Sequence, residues 1–188
     1  MPSKSGFIIK IVILIVIAVL SAPQNVTFAQ TNKRKKPAKS SQTKTNSNVE
    51  KAVDFELKDQ FNKVFTIKFP SEKPQILIFG DREGAEQIES WVRPLTEKYN
   101  DKIDIYGIAE LSSVPSLAKG FVRGIIKNKV KFSTMLDWKG DVSQSYGYEK
   151  GKANIFLVDK TGRILLKETG EASVENLKKF NNEINGVL

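Results

Sequence analysis

The sequence predicts an α/β domain: a mixed β-sheet flanked by helices on both faces, with an N-terminal β-hairpin. Three observations lead there. Gln75-Ile76-Leu77-Ile78-Phe79 and Ile155-Phe156-Leu157-Val158 are continuous apolar runs, as expected of central strands buried on both faces. Between and after them lie segments whose apolar residues recur at helical spacing, so each helix has one side to bury. The order of the pieces, β-α-β-α-β-β-α behind a hairpin, is that of a sheet covered by helices.

The hairpin comes first. Val53, Phe55 and Leu57 alternate with polar residues, and Val64, Phe65 and Ile67 follow the polar Asp59-Gln60. The first buried strand ends at Asp81-Arg82-Glu83-Gly84, and a helix is expected from there to Tyr99 with Ile88, Trp91, Val92 and Leu95 on one face. Pro94 falls inside that helix and is expected to kink it. Ile103–Ala109 reads as the next strand. Ser113-Val114-Pro115 reads as a helix start with proline in the first turn. The helix that follows has Leu117, Phe121, Val122, Ile125 and Ile126 as its apolar residues. Lys119, Arg123, Lys127 and Lys129 form a basic stripe on its outer face, the pattern of an ordinary solvated surface.

Phe132–Leu136 is a short strand, followed by a turn at Asp137-Trp138-Lys139-Gly140 and a helical turn at Val142–Tyr146. Asp159-Lys160-Thr161-Gly162 joins the strand at Ile155–Val158 to a return strand at Arg163–Glu168, with Gly162 able to take positive φ. Ser173 caps a last helix that directs Val174, Leu177, Phe180 and Ile184 to the sheet.

The N-terminus has a different character. Lys4 and Lys10 precede an apolar run from Ile11 to Leu20, and Thr27-Phe28-Ala29 places small residues where a signal peptidase reads. Residues 1–29 are therefore expected to be a secretory signal cleaved after Ala29, or an uncleaved membrane anchor; the apolar stretch is borderline against the roughly 20 residues a span needs. No cysteine follows it, which excludes bacterial lipoprotein anchoring. Residues 30–51 are polar and basic, with Lys33-Arg34-Lys35-Lys36, and read as a disordered linker ahead of a domain at 52–188. The charge follows this division. Residues 1–51 hold nine of the 30 Lys+Arg and one of the 21 Asp+Glu, leaving 21 basic and 20 acidic residues for the domain. Nucleic-acid binding by the domain is not expected. Contact of Lys33, Arg34, Lys35 and Lys36 with anionic membrane or cell-wall polymer is the functional alternative to a plain spacer.

The chain contains no cysteine and no histidine. Thiolate nucleophiles, disulfide exchange and imidazole acid–base catalysis are thereby excluded. Zinc and copper sites, which normally draw on these residues, are not expected, nor is any cofactor.

Three patterns in sequence carry a family resemblance. They are Ile76–Phe79 running into a proline-containing helix, Met135-Leu136-Asp137 followed by Tyr146-Gly147-Tyr148, and Ile155-Phe156-Leu157-Val158-Asp159-Lys160-Thr161-Gly162-Arg163-Ile164. Together they resemble the thioredoxin-like superfamily, in its redoxin or peroxiredoxin-like branch, from about Val53 to Ile184. The resemblance implies a reactive cysteine where the first buried strand meets its helix; Gly84 or Glu86 occupies that place, depending on the alignment. It also implies a cis-proline before the next central strand, where this chain has Ala153.

The same edge supplies the candidate binding residues: Asp81, Arg82, Glu83, Gly84 and Glu86 on one loop, Lys152, Ala153 and Asn154 on another. A helix N-terminus with Arg82 beside it suits a carboxylate or phosphate; the simpler account is that Asp81 caps the helix. Glu83 and Glu86, three apart, have the spacing of an acid–base pair as well as that of first-turn carboxylates. Trp138, Tyr146 and Tyr148 are expected in loops, as contact rings or as packing beneath them. No residue is assigned as catalytic or as a metal ligand.

Three functions follow as expectations. The first is a non-catalytic module, exported to the periplasm or cell envelope, that binds an envelope protein or small anionic ligand at the former redox edge. The second is a redoxin-type oxidoreductase or antioxidant relative using a partner's thiols or a carboxylate. The third is an envelope structural protein held by its basic tether. The export expectation is checked by N-terminal sequencing of protein recovered from the envelope: Gln30 at the N-terminus is the expected outcome, and Met1 identifies the uncleaved anchor.

Overall fold

The computed structural model describes residues 50–130 and 132–188. The expected leader, its cleavage site and nearly all of the linker lie outside them. Strands β1 (Phe55–Lys58) and β2 (Val64–Ile67) form the antiparallel hairpin. The main sheet holds β3 (Gln75–Gly80), β4 (Asp104–Glu110), β5 (Thr134–Asp137), β6 (Asn154–Val158) and β7 (Ile164–Thr169), in the order β5-β4-β3-β6-β7. β3 is parallel to β4 and β4 to β5, whereas β6 runs antiparallel to both of its neighbours. The helices are α1 (Glu89–Tyr99), α2 (Lys119–Lys129), α3 (Asp141–Ser145) and α4 (Val174–Val187).

β3 and β6 are buried along their whole length, so their unbroken apolar runs cover both faces of the sheet. On one face Ile76, Ile78, Ile155 and Leu157 pack with Trp91, Val92 and Leu95 of α1 and with Phe180 and Ile184 of α4. On the other, Leu77, Phe79, Phe156 and Val158 pack with Ile67 of the hairpin and Tyr146. A third cluster joins Ile126 of α2 to Val130 and Leu136. Helices α1, α2 and α4 thus share one face, while the short α3 and the hairpin cover the other.

Several local expectations need correction. The helix after β3 does not start at Gly84: a single 3-10 turn, Gly84–Glu86, comes first, and α1 begins at Glu89 and runs on through Pro94. Leu117 lies in a 3-10 turn, Ser116–Ala118, and is fully exposed; Phe121 is also exposed. The reason is phase: Val122 and Ile126 lie on the inner face of α2, and Phe121 sits about 100° away from Val122 on the helical wheel. Val174, at the first position of α4, likewise faces solvent. Of the two roles expected for Tyr146 the structure has the packing one: the ring lies tilted against Phe79 and edge-on to Phe156, and its hydroxyl donates to the Val53 carbonyl at 2.7 Å.

Other expectations hold. Ser173 accepts the Asn176 N–H at 3.1 Å, and Gly162 has φ 87°, where an added Cβ would lie 2.9 Å from the Phe69 Cβ. The Phe180 ring packs on Trp91 at a centroid distance of 5.0 Å with no solvent exposure. Phe180→Ala is expected to cost about 3–5 kcal/mol and Val174→Ser less than about 0.5 kcal/mol, as read by urea unfolding at pH 7.

Candidate functional site

The edge at the C-terminal end of β3 is built around one carboxylate. Asp81 Oδ1 accepts the backbone N–H groups of Glu83 at 3.1 Å and Gly84 at 2.9 Å, and its Oδ2 accepts the N–H of Gly151 at 2.8 Å. The Asp81 N–H donates to the Tyr148 hydroxyl at 2.9 Å, and its carbonyl accepts the Ala85 N–H. One side chain therefore ties together the end of β3, the 3-10 turn and the loop before β6. Burial alone would raise the Asp81 pKa. The hydrogen bonds from Gly84, Gly151, Tyr148 and Glu83 outweigh it and hold the carboxyl below its ordinary value of 3.8. Burial, with the Asp81 charge beside it, pushes the Tyr148 phenol up, so the ring stays neutral.

Gly84 is required sterically. A Cβ there would lie 2.3 Å from the Lys152 carbonyl oxygen and 2.9 Å from the Ala153 nitrogen. The turn and the loop are in backbone contact, with no room for a side chain between them. The peptide bond before Ala153 is trans; the single cis bond among the described residues is Phe69–Pro70.

The loop itself is fixed from both sides. Gln87 donates to the Gly151 carbonyl and accepts the Ala153 N–H at 3.0 Å. Asn154, fully buried, accepts the Glu149 N–H and donates to the carbonyls of Glu149 and Lys152. Arg82, Glu83, Glu86 and Lys152 remain exposed, and Lys152 pairs with Glu149 at 2.9 Å.

The structure thus brings together Asp81, Gly84, Tyr148, Lys152, Ala153 and Asn154. Glu83 and Glu86 stand in solvent, without the burial a general acid needs. Trp138 lies elsewhere, half-buried beyond β5, with Lys119 and Arg123 over its ring at 5.6 and 5.8 Å. Asp137 is buried and accepts from Gly140 N, Ser143 N and Ser143 Oγ, so its oxygens serve the turn. Among the described residues no group of three or more acidic side chains is placed to hold a metal ion. Gln87 escaped the sequence reading: a polar residue near a helix start carries no signal of a partner 64 residues away.

A second feature of the domain is also absent from the sequence pattern. A cleft of about 690 Å³ lies between α1 and α2 over the face of β4. Of the eleven residues of α2 only Ile126 is buried, against four in α1, so α2 stands off from the sheet.

No protein-family model and no curated protein sequence matches this chain. Solved structures do. A protein assigned as thiol:disulfide interchange protein DsbE from Chlorobium tepidum is similar at 19% identity, covering 74% of this chain and 96% of that one, with a TM-score of 0.57. The exposed lipoprotein thioredoxin Etrx1 from Streptococcus pneumoniae matches at 15% identity, 70% and 99% coverage and a TM-score of 0.57. Peroxidoxin BcpB from Mycobacterium tuberculosis matches at 16% identity, 74% and 96% coverage and a TM-score of 0.54. The domain therefore has the thioredoxin-like fold. The similar structures include a thiol:disulfide interchange protein and a peroxidoxin, while this chain has no cysteine.

The Asp81 carboxylate has a pH signature. Its folded pKa is depressed, so its charge contributes stability above the unfolded value near 3.8, and that contribution is lost as pH falls through the folded value. Asp81→Ala is expected to lower unfolding free energy by about 1–2 kcal/mol at pH 7. Across a series of urea titrations the gap to wild type should stay constant above about pH 5 and narrow below pH 4.

Proposed function

We propose that this domain is a non-catalytic binding module of the cell envelope, which recognises its ligand at the former redox edge. The observation that carries the reading is the replacement of a reactive centre by a structural one. Where a redoxin would hold a thiol, Gly84 packs on the Lys152 backbone and Asp81 occupies the exposed N–H donors of the turn. An internal anion in that position leaves the outward-facing side chains, Arg82, Glu83, Glu86 and Lys152, as the means of recognition. They are mixed in charge and set on a rigid, doubly pinned loop pair, which suits a polar protein segment.

The envelope location is supported by the basic and apolar N-terminal pattern and by the likeness to an exposed lipoprotein thioredoxin. Among the described residues no helix is long and apolar enough to cross a membrane.

The test uses Arg82→Ala/Glu83→Ala/Lys152→Ala, which leaves the Asp81 carboxylate in place. The full chain should capture an envelope protein that the folded triple variant loses, and neither should reduce insulin disulfides above the uncatalysed rate. Equal capture by both proteins removes the edge from the binding site. Insulin reduction by purified wild type would overturn the non-catalytic reading.

A further inference from the structure

We propose that the outer side of α2, with the 3-10 turn before it and Trp138 beside it, docks on an anionic lipid bilayer. Leu117 and Phe121 enter the interface, and the cations around them meet phosphate head groups.

The charge of the domain is segregated. Its 21 basic and 20 acidic residues nearly cancel, yet from Leu111 to Leu136 the sequence holds five Lys and Arg and no Asp or Glu. The carboxylates that bound this run, Glu110 and Asp137, are both buried and accept N–H groups of their own turns. The hairpin turn meets α2 through Asn62, which accepts from Arg123, and through Phe61, whose ring lies under Lys127 at 5.9 Å. The carboxylate of that turn, Asp59, is fully buried and accepts the Phe61 and Lys63 N–H groups. Asp101 lines the cleft on the inner side of α2, and Asp141 is exposed at the start of α3. Lys119, Arg123, Lys127 and Lys139 have no carboxylate partner among the described residues. Of these groups, four cations and the single carboxylate of Asp141 are left to face outward.

The same side shows apolar side chains that the fold does not use. Leu117 is fully exposed and Phe121 is 66% exposed, four residues apart. On the helical wheel Gly120, Gly124 and Asn128 share their side, opposite Val122 and Ile126, with Lys127 at its border. Glycine weakens a helix interior. Yet a Cβ at Gly120 or Gly124 would meet nothing within 4 Å, so no contact inside the domain requires either. Without side chains there the helix backbone can come close to an external surface.

The two chemistries together select the partner. An acidic polymer or peptide would satisfy the cations and offer nothing to Leu117 and Phe121. A bilayer containing anionic lipid supplies both: its surface potential attracts each Lys and Arg, and its interface takes up leucine, phenylalanine and tryptophan. Trp138 is half-buried, with Lys119 and Arg123 over its ring at 5.6 and 5.8 Å. Together with Gly120 and Lys139 they line a shallow recess that holds three cations and no carboxylate, which suits a phosphate. Tryptophan and cations at one level are the residues of a head-group layer. None of these side chains belongs to the candidate edge, so the two proposals stand separately.

The absence of cysteine lets a single introduced thiol report one place on the full chain. Asn128→Cys on α2 and Lys160→Cys in the turn between β6 and β7 are each labelled with a nitrobenzoxadiazole dye. Both are titrated with phosphatidylcholine vesicles, with and without phosphatidylglycerol. The label at position 128 should brighten with phosphatidylglycerol vesicles and respond far less to phosphatidylcholine alone, while the label at position 160 stays unchanged. In the Asn128→Cys background, Leu117→Ser/Phe121→Ser and Lys127→Gln/Lys139→Gln should each raise the lipid needed for half-response by about tenfold or more, at roughly fivefold for each cation. All four side chains are exposed, and thermal melts confirm the folds. Lys33→Gln/Arg34→Gln/Lys35→Gln/Lys36→Gln should keep the response at position 128; its loss there assigns the attraction to the linker and overturns the site. A silent label at position 128, or an equal response at position 160, overturns it as well. Soluble polyglutamate that matches the vesicle response, undiminished by Leu117→Ser/Phe121→Ser, identifies an acidic protein segment as the occupant and overturns the bilayer. Arg82→Ala/Glu83→Ala/Lys152→Ala should leave the vesicle response intact, which separates this surface from the candidate edge.

Discussion

The architecture depends on β3 being buried on both faces. Its alternating residues feed two separate cores, Ile76 and Ile78 toward α1 and α4, Leu77 and Phe79 toward the hairpin and Tyr146. A strand in this position leaves no polar side chain for solvent and fixes the register of β4 and β6 on its two sides. It also fixes where Asp81 emerges. The carboxylate lies just beyond the last residue of β3, so the rigidity of the candidate edge derives from the same burial that holds the sheet together.

At that edge the contacts are structural. A thioredoxin-like fold gathers a turn and a loop at the end of its central strand whatever residues occupy them. Here the gathering is maintained by a buried-edge carboxylate, a glycine with no room for a side chain, and a glutamine that bonds the loop from both sides. Each of these is a fixed structural contact. Arg82, Glu83, Glu86 and Lys152 stand exposed around them.

The sequence made some of this legible and hid the rest for physical reasons. The strands were readable because β3 and β6 are continuous apolar runs and because Gly162 and Ser173 mark a turn and a cap by local chemistry. Asp81 was readable as an acceptor for its near neighbours' N–H groups, but it closes the turn before the 3-10 segment and does not cap the helix, which starts at Glu89. Its third bond, to Gly151, was not readable, because it spans 70 residues. Leu117, Phe121 and Val174 look buried from their type alone, and exposure depends on where a helix starts and how closely it sits on the sheet. The stand-off of α2 has no signature in its own residues: an amphipathic helix looks the same whether it covers a sheet tightly or leaves a cleft.

The chain joins the domain at the end opposite its candidate edge. The Glu50 carbonyl accepts the Ile164 N–H, and Ile164 pairs with Val158, which in turn pairs with Gln75 at the start of β3. Asp81 lies at the far end of that strand, about 20 Å away at the usual rise. The chain therefore enters the domain at one end of its central strands, and the mixed-charge loops lie at the other.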